Sequence, residues 1–155
     1  MIRRRLVQPF LDLLRQGITP EKIALTIALG LALGVTPVIG STTLLCTGAA
    51  LALRLNLPAI QLVNGAVYPL QLVLIIPFLR AGAWLFGEGG VGALTLSRLF
   101  ELIRSDMWHA IVILWSATLH ALVAWLAVSA IAASLVYFTL LPVLRRVWRR
   151  QLEAQ

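Results

Sequence analysis

Long stretches without charged side chains constrain this chain most strongly. No Asp, Glu, Lys or Arg occurs in 23–53, 59–79 or 111–144. Each stretch reaches the length of about 20 apolar residues that crosses a hydrocarbon core of about 30 Å. The whole chain is 60% hydrophobic and only 12% charged, whereas soluble domains carry about 25% charged residues. We therefore predict an all-α integral membrane protein.

Glycine and proline interrupt the first two apolar stretches near their middles. The first break is Gly34-Val35-Thr36-Pro37-Val38-Ile39-Gly40, and the second is Asn64-Gly65-Ala66-Val67-Tyr68-Pro69. Non-helical backbone at membrane depth is tolerated only where it is buried in protein or lines a polar cavity. Paired interruptions are typical of transporter binding sites. We expect the two breaks to face each other across a polar site.

The breaks and flanking signals predict a single membrane domain over residues 1–155. Thr19-Pro20 and Asn56-Leu57-Pro58 have the cap and proline residues that begin helices, and Pro142 is expected to end the last one. The predicted segments are an amphipathic interfacial helix at 1–18, a broken or re-entrant hairpin at 20–53, a kinked transmembrane helix at 58–86, an outer loop with a second amphipathic interfacial helix at 87–107, a transmembrane helix at 108–142 and a basic cytoplasmic tail at 143–155.

Charge distribution decides between two topologies for 20–53. A full crossing would place the two arginine-rich ends of the chain on opposite sides, against the positive-inside bias. A re-entrant hairpin places both termini and Arg54 in the cytoplasm, and that arrangement is preferred. The cytoplasmic side then carries Arg3, Arg4, Arg5, Arg15, Lys22, Arg54, Arg145, Arg146, Arg149 and Arg150, against Arg98 and Arg104 outside.

Polar side chains around the two breaks are the candidate ligand-binding residues. They are Thr36, Ser41, Thr42, Thr43, Asn64, Tyr68, Gln71 and Arg80. A half-helix that begins near Ser41 would offer free N–H groups to an anion. Asn64, Tyr68 and Gln71 would line the opposite wall, and Arg80 would supply charge. The alternatives are that the hydroxyls only cap the helix, that the amides bond neighbouring helices, and that Arg80 snorkels to the surface.

His120 is the one histidine deep in the last apolar stretch. A titratable group at membrane depth usually has a functional role. For His120 the hypothesis is proton coupling. A neutral imidazole bonded to Ser116 or to a neighbouring helix is an equally economical interpretation.

Several function classes are not supported by the residues. No His, Cys, Asp and Glu cluster has metal-ligand spacing, and no catalytic set lies in the apolar core, so we expect no enzyme, metal or cofactor. The net charge of +7 is concentrated at the chain ends rather than along a groove. This pattern favours anionic headgroups over nucleic acid.

Three sequence runs carry a resemblance to a known family. They are Thr19-Pro20-Glu21-Lys22-Ile23-Ala24, the Ala28-Leu29-Gly30 to Gly34 run with Pro37 and Gly40, and Leu53-Arg54-Leu55-Asn56-Leu57-Pro58-Ala59. With the long final apolar helix and basic tail, they resemble the bacterial membrane family of unknown function DUF2062. The resemblance implies a bacterial inner-membrane protein and no chemistry. One departure is Tyr68-Pro69, where the family commonly has Asn-Pro.

Two functional hypotheses follow. The leading one is a protein with a polar site between its broken helices that transports or handles an anionic lipid or a small anion. The alternative is a non-catalytic accessory subunit of a larger membrane complex. Small residues at four-residue spacing, such as Ala117 with Ala121, let helices approach closely in lipid. Because a two-spanning protein of this size has few internal helices to cover its polar breaks, we expect it to form a homo-oligomer or to pack on partner subunits.

Overall fold

The computed structural model describes residues 18–87, 101 and 104–152 of the chain. These residues form four α-helices and no strand: α1, Pro20–Gly34; α2, Thr42–Leu53; α3, Leu57–Leu85; and α4, Met107–Leu152. The interfacial helix predicted at 1–18 and most of the segment predicted at 87–107 lie outside the described residues. The part of the chain that is described is therefore all-helical, as predicted.

Local capping begins two of the helices where the sequence indicates. The Thr19 hydroxyl accepts a hydrogen bond from the backbone N–H of Lys22 at 3.4 Å, with Pro20 in the first turn. The Asn56 side-chain oxygen accepts one from Ala59 N–H at 2.9 Å, with Pro58 in the first turn. Each cap satisfies one of the N–H groups that a helix start leaves without a partner. Both predicted helix starts are confirmed.

α1 and α2 form a hairpin that returns to the level at which it began. Lys22 Nζ, near the start of α1, lies 3.4 Å from the carbonyl oxygen of Arg54, just after α2. With 15 and 12 residues, the helices are about 22 and 18 Å long. Neither is long enough to cross a hydrocarbon core of about 30 Å alone. The two half-length helices therefore share one end, here called the basic end.

α3 runs alongside α1, and α4 runs back along both. A Cβ on Gly30 of α1 would lie 2.8 Å from Val63 of α3, so only glycine allows this contact. Further along, a Cβ on Gly82 of α3 would lie 2.5 Å from the backbone of His120 in α4. At the basic end, Arg145 of α4 pairs with Glu21 of α1 at 2.9 Å. α1, α3 and α4 thus form the core, and α2 packs on α1 and α3.

α3 and α4 are long and apolar enough to cross a membrane. Their mean hydropathies are 1.8 and 2.1. In the most apolar 18-residue segment of each helix, however, only 28% (α3) and 17% (α4) is buried. A core helix of a soluble protein would instead bury most of such a segment. Large apolar side chains lie outward, as Trp84 at 83% exposure and Trp108 at 75% exposure illustrate. The surface of these helices is therefore suited to hydrocarbon.

One predicted interruption and one predicted helix end are wrong, although the helix predicted at 58–86 is present. α3 is continuous through Pro69 and Pro77, so the second break predicted at 64–69 is absent. α4 continues through Pro142 to Leu152, so most of the predicted tail at 143–155 is helical. A proline removes one N–H and frees one carbonyl four residues earlier, and membrane-type helices tolerate this loss. Pro69 and Pro142 are both exposed, so their rings disturb no core contact.

Candidate functional site

The first predicted break, residues 34–40, coincides with the interruption at 35–41, which is the polar centre of the structure. α1 ends at Gly34 and α2 begins at Thr42. The Trp125 indole Nε1 of α4 donates to the carbonyl oxygen of Ala32 at 3.0 Å. Gln71 Nε2 of α3 donates to the carbonyl oxygen of Thr36 at 2.9 Å, and the Thr36 hydroxyl donates to Leu33 O at 2.6 Å. Both long helices therefore supply donors to carbonyls at the interrupted end of α1.

These contacts seal the end of α1 inside the protein. Thr36 is 1% exposed and Gln71 is fully buried. A helix C-terminus carries partial negative charge and unpaired carbonyls, so donors from Trp125 and Gln71 are its natural partners. Gln71 Oε1 has no hydrogen-bond partner. The structure thus brings Thr36 and Gln71 together as a buried structural pair rather than as the wall of an open polar pocket.

A second polar cluster ties the start of α2 to α3. Gln61 Nε2 donates to the carbonyl oxygen of Thr43 at 3.1 Å and to the Thr47 hydroxyl at 3.0 Å. Asn64 Nδ2 donates to Gln61 Oε1 at 3.2 Å. Asn64 is buried and Thr43 is exposed. Asn64 thus reaches the predicted Ser41–Thr43 segment only through Gln61, as an interhelical hydrogen-bond chain.

The predicted hydroxyl donors at the start of α2 differ from one another. Ser41 occupies the N-cap position, but its hydroxyl donates backwards to Val38 O at 2.9 Å and makes no capping bond. Thr42 is buried and Thr43 is exposed. For Ser41, the arrangement corresponds to the alternative interpretation, in which the hydroxyl bonds the preceding turn.

The other three predicted site residues lie away from the break. Tyr68 is 47% exposed, because a residue four positions from Asn64 and three from Gln71 falls at the edge of their shared face. Arg80 is exposed near the far end of α3. The His120 ring stacks on Phe86 with centroids 4.1 Å apart, beside Gly82. His120 thus lies level with Gly82, in the last turn of α3 and about 16 Å beyond Gln71 along that helix.

An apolar cavity of about 480 Å³ lies between the three core helices, beside the sealed end of α1. We call it the lateral cavity. Its lining side chains are Ala28, Leu31, Ala32 and Val35 of α1; Val67, Leu70, Leu74, Pro77, Phe78 and Ala81 of α3; and Val128, Ser129, Ala132, Ala133 and Val136 of α4. Leu70, Val128 and Ala132 are exposed, so the cavity opens sideways out of the helix bundle.

Ser129 is the one polar side chain among the described residues that line the lateral cavity. It is 6% exposed, and its hydroxyl has no hydrogen-bond partner. Buried hydroxyls are normally paired, and each exception requires an explanation. The lateral cavity therefore combines an apolar wall with one unused hydrogen-bonding group.

The basic end of α4 presents a shallow pocket of about 280 Å³ lined by Leu141, Pro142, Arg145, Arg146 and Arg149. Arg145 is paired with Glu21, and both side chains are substantially exposed, at 55% and 42%. A hydrogen bond from Glu21's own backbone N–H and the bond from Arg145 hold the pKa of the Glu21 carboxyl below its usual 4.5. Arg146, Arg149 and Arg150 are exposed beyond this pair, so the surface remains strongly positive.

A bacterial family described as uncharacterized protein conserved in bacteria, DUF2062, has a sequence profile that matches residues 3–153. The chain belongs to the DUF2062 family. No curated protein and no solved structure gives a significant match to the chain.

Sequence reasoning missed three residues of this DUF2062 protein that the structure places in or beside the site. The sequence does not indicate Trp125 as a site residue, because tryptophans usually anchor helix ends at the membrane interface; its mid-helix position is the available signal. Gln61 was missed because its partners lie on another helix. From the sequence, Ser129 indicates only a small residue suited to close helix packing.

Proposed function

We propose that this protein is an integral protein of the bacterial inner membrane that binds and handles an anionic lipid. In this proposal both termini are cytoplasmic, α3 and α4 cross the bilayer, and α1 with α2 enters and returns. One hydrocarbon chain of the lipid occupies the lateral cavity, and the headgroup lies near the arginines of α4. The observation that carries the proposal is the sideways-opening apolar cavity beside a buried helix end.

The distribution of charge along α3 supports this placement. Lys22 and Arg54 mark the basic end, and Arg80 is the next charged residue along α3. From Leu57 to Arg80 the helix rises about 35 Å, close to the thickness of a hydrocarbon core. Arg80 is exposed, so its guanidinium can reach the opposite membrane surface rather than remain in hydrocarbon. Its predicted role in ligand binding is replaced by this anchoring role.

The wall of the lateral cavity suits a lipid chain better than a small anion. Apart from Ser129, the described lining side chains are aliphatic, aromatic or proline. An anion would need N–H or cationic donors, whereas Trp125 and Gln71 do not line the cavity and each donates to a carbonyl of the α1 end. We therefore retain the lipid part of the original hypothesis and do not propose a small anion.

The basic end of α4 accounts for a preference for negative headgroups. Arg146 and Arg149 line the pocket beside Pro142, and Arg150 follows them. Each basic residue near a membrane surface contributes about 1 kcal/mol of attraction to anionic lipid. The proposed headgroup site is thus moved from Ser41–Thr43 to these arginines.

Blocking the lateral cavity tests the proposal. Ala132 lines the cavity and is exposed at its mouth, so an Ala132→Trp ring would fill the space a chain needs. Ala130→Trp is the matched control, because Ala130 is exposed on the same helix and does not line the cavity. We expect mass spectrometry of the purified full chain to show less retained lipid for Ala132→Trp only. Equal retention by both variants would contradict the proposal.

Neutralising the basic end tests headgroup selection separately. In the double variant Arg146→Gln, Arg149→Gln, we expect the ratio of bound phosphatidylglycerol to bound phosphatidylethanolamine to fall. Arg80→Gln is the control, in which this ratio should not change. The two arginines line the basic pocket, whereas Arg80 is exposed near the far end of α3. An unchanged ratio in the double variant would remove anionic selectivity from the proposal.

An accessory subunit is the second candidate function. The observation in its favour is the outer face of α2, where Leu44 is 76% exposed and Leu51 is 71% exposed. A half-length helix with such a face can pack against another membrane protein or a second copy. Native mass spectrometry distinguishes the cases: constant stoichiometry with a larger assembly supports the subunit, and lipid-loaded protein alone supports lipid handling.

A further inference from the structure

The Ser129 hydroxyl differs from most hydroxyls in the interior of the described helices. Six of those donate to the carbonyl three or four residues earlier, namely Thr26, Thr47, Ser116, Thr118, Ser134 and Thr139. Ser129 makes no such bond, although the side chain is buried at 6% exposure. A buried hydroxyl without a partner loses its hydration and gains nothing in return. The described residues therefore supply no partner for this hydroxyl, which leaves it available to a ligand in the lateral cavity.

Water is a poor candidate for that partner. An ordered buried water needs two to four polar contacts, and genuinely apolar cavities stay dry. Among the described residues that line the lateral cavity, Ser129 provides the one polar side chain. A single hydroxyl cannot hold a water molecule in such a place. A molecule that is mainly apolar and carries one oxygen fits both the wall and the hydroxyl.

The position of Ser129 indicates where that oxygen lies in the ligand. Ser129 is one turn from Trp125, which bonds the end of α1. It is 16 residues from Arg145, or about 24 Å along α4. A headgroup held at the basic end would therefore place its chain, rather than its phosphate or glycerol, beside Ser129.

We propose that Ser129 hydrogen-bonds an uncharged oxygen carried by the ligand's hydrocarbon chain, so that the lateral cavity selects a hydroxylated or keto lipid chain over a plain one. This inference rests on the proposed lipid-binding function and adds the chemistry of the chain. The serine hydroxyl donates to a ketone, and it donates to or accepts from an alcohol. Ala28 and Ala132, which also line the cavity, can contact the chain on either side.

A pair of fatty acids tests the inference on the full-length protein in detergent. The probes are stearic acid and a hydroxystearic acid with its hydroxyl at mid-chain, each titrated with binding followed by native mass spectrometry. One net hydrogen bond predicts about threefold to tenfold tighter binding of the hydroxylated probe by the unmodified protein. Ser129→Ala should bind the two probes equally. Ser134→Ala should keep the preference, because the Ser134 hydroxyl is exposed and bonds Ala130 O.

The outcomes separate this inference from the proposed function. If stearic acid binds and Ala132→Trp prevents it, but the unmodified protein shows no preference for the hydroxylated probe, the inference is wrong and lipid binding stands. If neither probe binds and no lipid is retained, both fail. A preference that survives Ser129→Ala would also overturn the role of Ser129. Thermal unfolding of lipid-free Ser129→Ala should occur at the temperature of the unmodified protein or above it, since no hydrogen bond within the described residues is lost and a buried hydroxyl without a partner is removed.

Discussion

The indole Nε1 of Trp125 lies 3.0 Å from the carbonyl oxygen of Ala32, although 93 positions separate the two residues in the sequence. The contact joins the middle of α4 to the last turn of α1. It gives a partner to a carbonyl that the end of α1 would otherwise leave unpaired inside the bundle. The half-length α1 can therefore end in the protein interior because a full-length helix supplies the missing donor.

Replacing this donor should destabilise the fold. Trp125→Phe keeps an aromatic ring but leaves Ala32 O buried without its partner, so we expect a loss of about 1 to 2 kcal/mol in unfolding free energy. The measurement is denaturant-induced unfolding in detergent. Trp115→Phe is the control, because Trp115 is 67% exposed and should change stability little. Equal effects of both substitutions would show that the indole hydrogen bond contributes nothing measurable.

The contact of α3 with α4 at Gly82 should not tolerate a methyl group. A Cβ there would lie 2.5 Å from the His120 backbone carbon and 2.6 Å from Ala121 N. Because backbone cannot move aside as a side chain can, Gly82→Ala should cost about 2 to 3 kcal/mol. Gly65→Ala, on the same helix with no atom within 4 Å, should be neutral or stabilising by up to about 1 kcal/mol. Unfolding of the two variants under one set of conditions checks the difference, and similar values would contradict the close approach.

Local features of the fold could be predicted from the sequence, whereas contacts between distant segments could not. The starts at Thr19-Pro20 and Asn56 depend on residues within one turn, and the return of the hairpin follows from charge counting. The continuity of α3 through Pro69 could not be read in this way. A proline removes only one hydrogen bond, and the exposed position of Pro69 leaves core packing intact.

In the candidate site, too, some residues could be predicted from the sequence and others could not. Thr36 and Gln71 were named from their places at the expected breaks, and the structure joins them by one hydrogen bond. Trp125 and Ser129 could not be named for their roles, because a hydrogen bond across α1 and α4 and a cavity wall exist only once three helices pack together. Sequence periodicity indicates which face of a helix is buried, but it does not indicate which helix packs against that face.

The Glu21–Arg145 pair should make stability depend on acid pH. Its hydrogen bonds lower the folded-state pKa of Glu21 below 4.5. The stabilisation is therefore complete above the unfolded-state value and is lost as pH falls through the lower, folded-state value. Because both side chains are largely exposed, we expect the effect to be below about 1 kcal/mol. Melting temperatures at neutral and acid pH should show this increment for the unmodified protein and not for Glu21→Gln, and identical profiles would contradict it.

Cysteine labelling in intact cells and in inverted membrane vesicles tests the proposed re-entrant hairpin. Cys46 is the only cysteine and is buried, so Cys46→Ala provides a background for single cysteines. We expect Lys22→Cys, Arg54→Cys and Arg149→Cys to react with a membrane-impermeant reagent from the cytoplasmic side. Trp108→Cys, at a position 75% exposed, should react from the other side. Labelling of positions 22 and 54 from opposite sides would establish a full crossing and overturn the proposed topology.

The half-length of α1 and α2 gives the molecule unequal cross-sections. Placed in a bilayer as proposed, the described residues put four helices in the cytoplasmic leaflet and only two in the opposite one, because the hairpin turns back at residues 35–41. In that placement the described residues displace more lipid area from the cytoplasmic monolayer than from the other. Copies gathered in one place would bend the membrane towards the narrower side, so the shape of the fold itself couples its local density to membrane curvature.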